Sequence, residues 1–339
     1  MNIPYRTRYA LKQAAIILLI VLLAAALAFF CWFTWLKRYV VYTDQGAVLD
    51  MELSEQVAAG EKAIPPERSE TINIYYNEGD NAINTSRELT QMTGYYADYA
   101  ALQKGVAAVW EQAKALPTGT PVMVDVKDGK GRFFYSSNIS ANRNSKIDTA
   151  AMDDMIRDLD RRGTYLIARL PALRDYHFGL NNTASGLAVK SGGYLWADAD
   201  YCYWLNPASQ GAITYLVQIV TELKNLGFDE VVFDEFRFPD TDNLKFSGDR
   251  MAALVTAAET LVTTCAEDNF AVSFVQNVGF TLPQGRSRLY IQEAVAANAA
   301  NIAQQAGLAD PAVNLVFLTE VHDTRFDAYS VLRPLEAAH

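Results

Sequence analysis

The stretch "GFDEVVFDEFRFP", Gly227 to Pro239, reads as a strand for its first half and then gathers charge. Asp234, Glu235 and Arg237 lie among Phe233, Phe236 and Phe238. An apolar run with its ionised groups at the carboxyl end is either a solvated strand terminus or a strand that carries those groups to a site. The answer depends on what surrounds it.

Upstream, Ile213, Leu216, Val220 and Leu223 recur at helical spacing and stop at Gly227. Downstream, Met251, Leu254, Val255, Ala258 and Leu261 mark another helix, followed by the strand-like "FAVSFVQNV". The same alternation begins near Gln91. "TGYYADY" precedes a helix carrying Leu102, Val106, Val109, Trp110 and Ala113, and "TPVMVDVKD" follows it. Next come the Met152, Met155, Ile156, Leu159 stripe and "TYLIARL". The Ala-rich "IQEAVAANAANIAQQA" and "VNLVFLTE" close the series. Six strand–helix units with β-branched, nearly continuous apolar strands predict a parallel sheet covered by helices. A doubly wound sheet and a (β/α) barrel both fit. The missing Gly-rich turn after the first strand disfavours a dinucleotide fold.

In both architectures function collects at the carboxyl ends of the strands. Those ends supply Asp125, Lys127 and Asp128, then Arg169, then Asp234, Glu235 and Arg237, then Gln276 and Asn277, then Glu320 and His322. Charges on buried parallel strands are costly unless paired, so the set predicts a converging polar site. Side chains alternate faces, so Asp234 shares a face with Val232 while Glu235 takes the other, unless the strand breaks there. Asp125 and Lys127 share a face and are expected to pair along their strand. Asp234 is expected to be a buried carboxylate kept ionised by Arg237.

The remainder of the 339-residue chain bounds the function. A net charge of −10 with no basic tract excludes a nucleic-acid partner. Three His, three Cys and no EF-hand pattern give no metal site, and no cofactor is expected. "AAIILLIVLLAAALAFFCWFTW", Ala14 to Trp35, runs 22 residues without a charge, enough to span a bilayer as a helix. Arg6, Arg8 and Lys12 before it outnumber Lys37 and Arg38 after it, which places the N-terminus in the cytoplasm. A signal peptide cleaved after Ala26-Leu27-Ala28 is the competing reading, but the apolar run continues well past that point. The expected order is a cytoplasmic N-terminus (1–12), an anchor (13–36), an acidic extracytoplasmic stalk (37–90) containing Pro65-Pro66, and an α/β domain (91–339).

The opening stretch resembles "GFDEIQFDY-RFP", a signature of the bacterial "putative glycoside hydrolase domain" family. "VMVDVKDGKGRFFYSS" is similar to that family's "VVIDVKDD-G---Y-S", and "RRGTYLIARLPALRD" to its "-KGIYVIARI-VFKD". "GGYLWADADYCYWLNPASQ" parallels its Trp-Asp…Trp-x-(Asn/Asp)-Pro segment. The resemblance runs from about Thr93 to Cys265. It implies a TIM-type barrel that acts on an oligosaccharide or polysaccharide. It marks Asp125, Lys127, Asp128, Arg169, Asp175, Trp196, Asp198, Asn206-Pro207, Asp234, Arg237 and Pro239 as matching positions. Glu235 stands where the family usually has Tyr, and the last strand ends depart from its pattern.

Glycoside cleavage needs two carboxyl groups flanking the bond. Asp234 is the candidate nucleophile or base, and Glu320 the candidate acid by position, with Glu235 second. Asp125, Lys127, Asp128, Arg169, Trp196, Asp198, Trp204 and Arg237 are the candidate substrate-binding residues, and Tyr95, Tyr96 and Tyr203 candidate apolar walls. With only six units read and the chain ending at His339, the barrel is expected to be incomplete or to recruit "TINIYY" (Thr71–Tyr76) for closure. A barrel that binds glycan or serves the cell envelope without catalysis is the alternative function.

Overall fold

The computed structural model describes residues 40–43, 46–49 and 88–335. The chain divides into two units, 1–80 and 81–339. In the first, β1 (Val40–Thr43) and β2 (Gly46–Leu49) form a two-stranded antiparallel ribbon. The apolar segment 14–35 and "TINIYY" lie outside the described residues. Among the described residues no helix is long and apolar enough to cross a membrane.

The second unit is a closed barrel of eight parallel strands. Strand β3 (Thr93–Ala97) leads through α1 (Tyr99–Lys104) and α2 (Val106–Ala115) to β4 (Val122–Asp125). Helix α3 (Thr149–Arg161) leads to β5 (Leu166–Pro171). A long loop with the short α4 (Tyr176–Asn181), then α5 (Gln210–Asn225), leads to β6 (Glu230–Asp234). Helix α6 (Arg250–Cys265) precedes β7 (Ala271–Val275), which runs to β8 (Leu289–Gln292) without a helix. Then α7 (Ala299–Ala306) and α8 (Pro311–Asn314) precede β9 (Leu315–Leu318). A single 3-10 turn, Thr324–Phe326, separates β9 from β10 (Ser330–Pro334).

Local chemistry sets these elements. Helix α3 starts where the Asp148 side chain accepts the Ala151 N–H, filling one of the donors a helix N-terminus leaves open. It buries Met152, Met155, Ile156 and Leu159 along one stripe, each worth roughly 1.5–3 kcal/mol. The chain turns out of helix α5 at Gly227, two residues past its end, whose φ of 104° and close approach to the Asp160 side chain leave no room for a Cβ. The next residues open β6.

Closure corrects the expectation of an incomplete barrel. Strand β10 pairs with β3, Val331 against Thr93 and Leu332 against Gly94, so the described chain closes the ring on itself. The two strands beyond those expected are β8 and β10.

The interior is filled by Met92, Met123, Ile167, Val232, Tyr290, Val316, Leu318 and Leu332. The opposite strand faces, with Val122, Val124, Leu166, Leu170, Val231 and Phe233, pack in the outer core with the helices. Parity then decides the site. Asp125, Arg169 and Asp234 each lie two residues beyond an interior residue, Met123, Ile167 and Val232, and share their face.

Candidate active site

The register places Asp125 directly beside Arg169, and Arg169 beside Val232, one inward position below Asp234. Arg169 Nε donates to Asp125 Oδ1 at 2.6 Å and Nη2 to Oδ2 at 3.1 Å, a bidentate pair. Asp125 Oδ2 also accepts the Tyr99 N–H at 2.7 Å. Burial pushes the Asp125 carboxyl above the ordinary range, and the Arg169 guanidinium holds that rise back. Burial opposes the charge on Arg169, yet Asp125, and after it Asp234 and Asp98, hold its pKa above the ordinary value. These three charged groups, from three adjacent strands, thus meet at the carboxyl mouth of the barrel.

Tyr96 joins them from β3, its ring 5.9 Å from the Arg169 guanidinium. Its phenol is raised first by burial and then by the charge of Glu320, which brings the exposed end of β9 into the same field.

Strand β6 breaks where its charges begin. Glu235 has φ 48°, a left-handed backbone that a glutamate rarely adopts. The Asp234 Oδ1 accepts the Glu235 N–H at 2.7 Å, and Gln276 Nε2 donates to the Phe236 carbonyl. The turn is therefore fastened on both sides of Glu235. Asp234 Oδ2 faces Gln292 Nε2 of β8 at 3.4 Å. Asp234 is half-buried rather than buried.

The expected partner of Asp234 is wrong. Arg237 pairs with Glu235 at 2.8 Å and lays its guanidinium over the Trp204 ring at 4.9 Å. Once the left-handed turn takes Glu235 out of the strand, it is the carboxylate nearer to Arg237.

Several other expected site residues hold loops. Lys127 does not pair with Asp125. Its Nζ donates to Asp175 Oδ2 at 2.7 Å in a fully buried ion pair, because β4 ends at Asp125 and the chain then leaves the barrel. Asp175 also caps α4 at Phe178 and accepts the Tyr215 hydroxyl. Asp128 closes its own turn, accepting from the Lys130 and Arg132 N–H groups and from Asn144. Asp198 pairs with Arg174 and accepts the Trp204 Nε1–H. Trp196 packs on the outer core, Trp204 is buried, and Asn206 caps the approach to α5 through the Ala208 N–H.

The sequence reading passed over Gln292 because β8 was taken into the following helix. It also passed over Glu230, buried inside the other end of the barrel. Glu230 accepts from the Tyr165 hydroxyl at 2.9 Å, Ser273 Oγ at 2.6 Å, Tyr290 hydroxyl at 2.9 Å and Arg288 Nη1 at 2.5 Å. Parity with Val232 and Asp234 was the signal that would have found it.

Among the described residues no cluster of His, Cys, Asp and Glu is placed to hold a metal ion. What the mouth offers is carboxylates in two settings: Asp125 gripped by a cation, and Asp234, Glu235 and Glu320 at more open strand ends.

No curated protein matches the sequence. Among solved structures, the galactosidase domain of an α-galactosidase-sucrose kinase superposes with TM-score 0.53 at 10% identity, covering 75% of this chain and 38% of its own. An α-galactosidase from Thermus thermophilus superposes with TM-score 0.51 at 8% identity, covering 74% and 59%. The chain thus spans less than two thirds of either galactosidase, and at such identities the likeness is one of fold. A hypothetical protein from Ruminiclostridium thermocellum ATCC 27405 is 21% identical, with TM-score 0.45, over 53% of this chain and 96% of its own. A family model described as "Putative glycosyl hydrolase domain" matches residues 101–273, just over half of the sequence, including β4, β5 and β6 with Asp125, Arg169 and Asp234. The chain belongs to that family.

Proposed function

We propose that this protein is a glycoside hydrolase, held in a membrane by residues 14–35 with its barrel outside the cytoplasm, and that it cleaves an oligosaccharide or polysaccharide. The observation that carries the reading is the gathering of Asp234, Glu235, Asp125 and Arg169 at the carboxyl mouth of a closed parallel barrel. Family membership supports the reaction class.

Asp234 acts at the anomeric carbon, as nucleophile or as the base that activates water. Its Oδ1 is fixed by the Glu235 N–H, which leaves Oδ2, beside Gln292, to face the sugar. Glu320 is the proton donor to the leaving oxygen. It forms no ion pair among the described residues, whereas Glu235 is engaged by Arg237. Arg169, paired with Asp125, lines the floor beneath the reacting centre and is a hydrogen-bond donor to the hydroxyls of the bound sugar.

The test is turnover by the full chain, in detergent, on a panel of polysaccharides, compared with Asp234→Asn. Turnover that falls by roughly three orders of magnitude or more, with binding retained, is expected. Wild-type protein that binds a glycan and cleaves none would instead establish the binding barrel.

A further inference from the structure

The long loop between β5 and α5 holds a feature with no place in the packing. Tyr201 has φ 59°, the left-handed region, where a bulky aromatic residue is an outlier. Its side chain is nevertheless 78% exposed. An exposed tyrosine alone is ordinary. A strained one that gains no burial in return is not, since strain persists only where the surroundings over-determine it.

The surroundings do so here. Ala197 and Tyr203 bridge the two arms of the loop, and Asp198 Oδ1 accepts the N–H of Asp200 at 3.0 Å and of Cys202 at 2.9 Å. The Tyr201 N–H donates to the Asp198 carbonyl at 3.0 Å. Arg174 clamps Asp198 and Asp200 at 2.6 Å each, and Lys130 donates to the Asp200 carbonyl. Every residue beside Tyr201 is tied down while its ring is held out. The tip also connects to the mouth. Asp198 Oδ2 accepts Trp204 Nε1–H at 3.1 Å, Arg237 lies over that indole, and Arg237 pairs with Glu235 next to Asp234.

We infer that Tyr201 is an aromatic platform for an extended, neutral polysaccharide chain, forming a subsite beyond the barrel mouth on the side of the Arg237–Glu235 pair. The inference rests on the hydrolase reading for its ligand. Sugar rings present C–H faces that pack on an aromatic ring, and a ring carried on a tied backbone spares the loop from ordering on binding. The loop is built to present that face, with Asp198 as its brace.

Affinity electrophoresis of the full chain in detergent tests this, in gels cast with galactomannan, soluble starch or hydroxyethylcellulose. These polymers are uncharged, so the net charge of −10 does not contribute. Wild type should be retarded by at least one of them. Tyr201→Asn, which suits the left-handed backbone, should bind that polymer roughly three- to tenfold more weakly. Its melting temperature should be equal to that of wild type or higher. Tyr201→Trp should restore binding. If the polymer is cleaved, the loss should appear in KM rather than kcat. Equal retardation of wild type and Tyr201→Asn, or no retardation in any gel, overturns the platform. Release of reducing ends, measured on the same polymers with Asp234→Asn as control, judges the hydrolase reading separately. Binding that depends on Tyr201 without cleavage would sink that reading and leave the platform standing.

Discussion

Arg169 holds both oxygens of Asp125 across two adjacent strands, with neither side chain more than 14% exposed. Removing one partner of such a pair leaves the other charge poorly solvated. Arg169→Leu should therefore cost about 3 kcal/mol, the low end for buried pairs because some exposure remains. The pH dependence has a definite sign. The Asp125 carboxyl is already raised by burial, so its contribution to stability is fullest below the unfolded value near pH 4 and is lost as pH rises through the folded value. Without Arg169 the folded value rises further. Urea midpoints of the variant should fall more steeply than those of wild type as pH rises above about 4.

At the other end of the barrel, Glu230 is fully buried and takes four hydrogen bonds, one of them from Arg288. Glu230→Ala would strand a guanidinium in the interior and should destabilise by about 3–5 kcal/mol. Glu230→Gln, which keeps the shape, should cost less. Chemical denaturation of the two variants checks the order, and equal losses would show that the missing charge opposite Arg288, not the shape and hydrogen bonds an amide keeps, sets the whole cost.

Glu235 separates stability from activity. Its left-handed backbone favours glycine, while its ion pair with Arg237 is half-exposed and worth about 0–1 kcal/mol. Glu235→Gly should stay within about 1 kcal/mol of wild type in denaturant. If the glutamate assists the reaction, turnover should drop by about 10²- to 10⁴-fold. A fall of less than about tenfold would leave Glu320 as the sole candidate for the acid.

Topology is tested in cells. With residues 14–35 as an uncleaved anchor, protease added to intact cells should remove most of the chain and leave a short membrane-bound N-terminal fragment. A barrel protected from external protease would reverse the orientation.

The strands with β-branched runs, β4 to β7 and β9, were legible from periodicity, and so was the face shared by Asp125, Arg169 and Asp234. Strands β8 and β10 were not. "LYIQ" is four residues long and no helix separates it from β7, so the strand–helix rhythm gave no place for it. "SVLRP" carries Arg333 and Pro334, both poor strand signals, with the Pro tolerated at the strand end. The Arg237 pairing was misread because strand parity cannot anticipate a left-handed residue. Lys127 was misplaced because nothing local marks where a strand leaves its sheet. Its partner Asp175 lies 48 residues away.

Ring closure by β10 has a consequence in time. The Met92 N–H donates to Ser330 Oγ, and the two residues are 238 positions apart. At about 5–20 residues per second, the first barrel strand waits roughly 12 to 48 s for the last to be synthesised. Throughout that interval β3 presents an open edge, joined by β9 once Leu315–Leu318 has been made, and long-range pairing of this kind is slow in any case. The nascent chain is thus exposed to misassembly until β10 emerges, and a ribosome-stalled product ending before Ser330 should be protease-sensitive in its barrel strands.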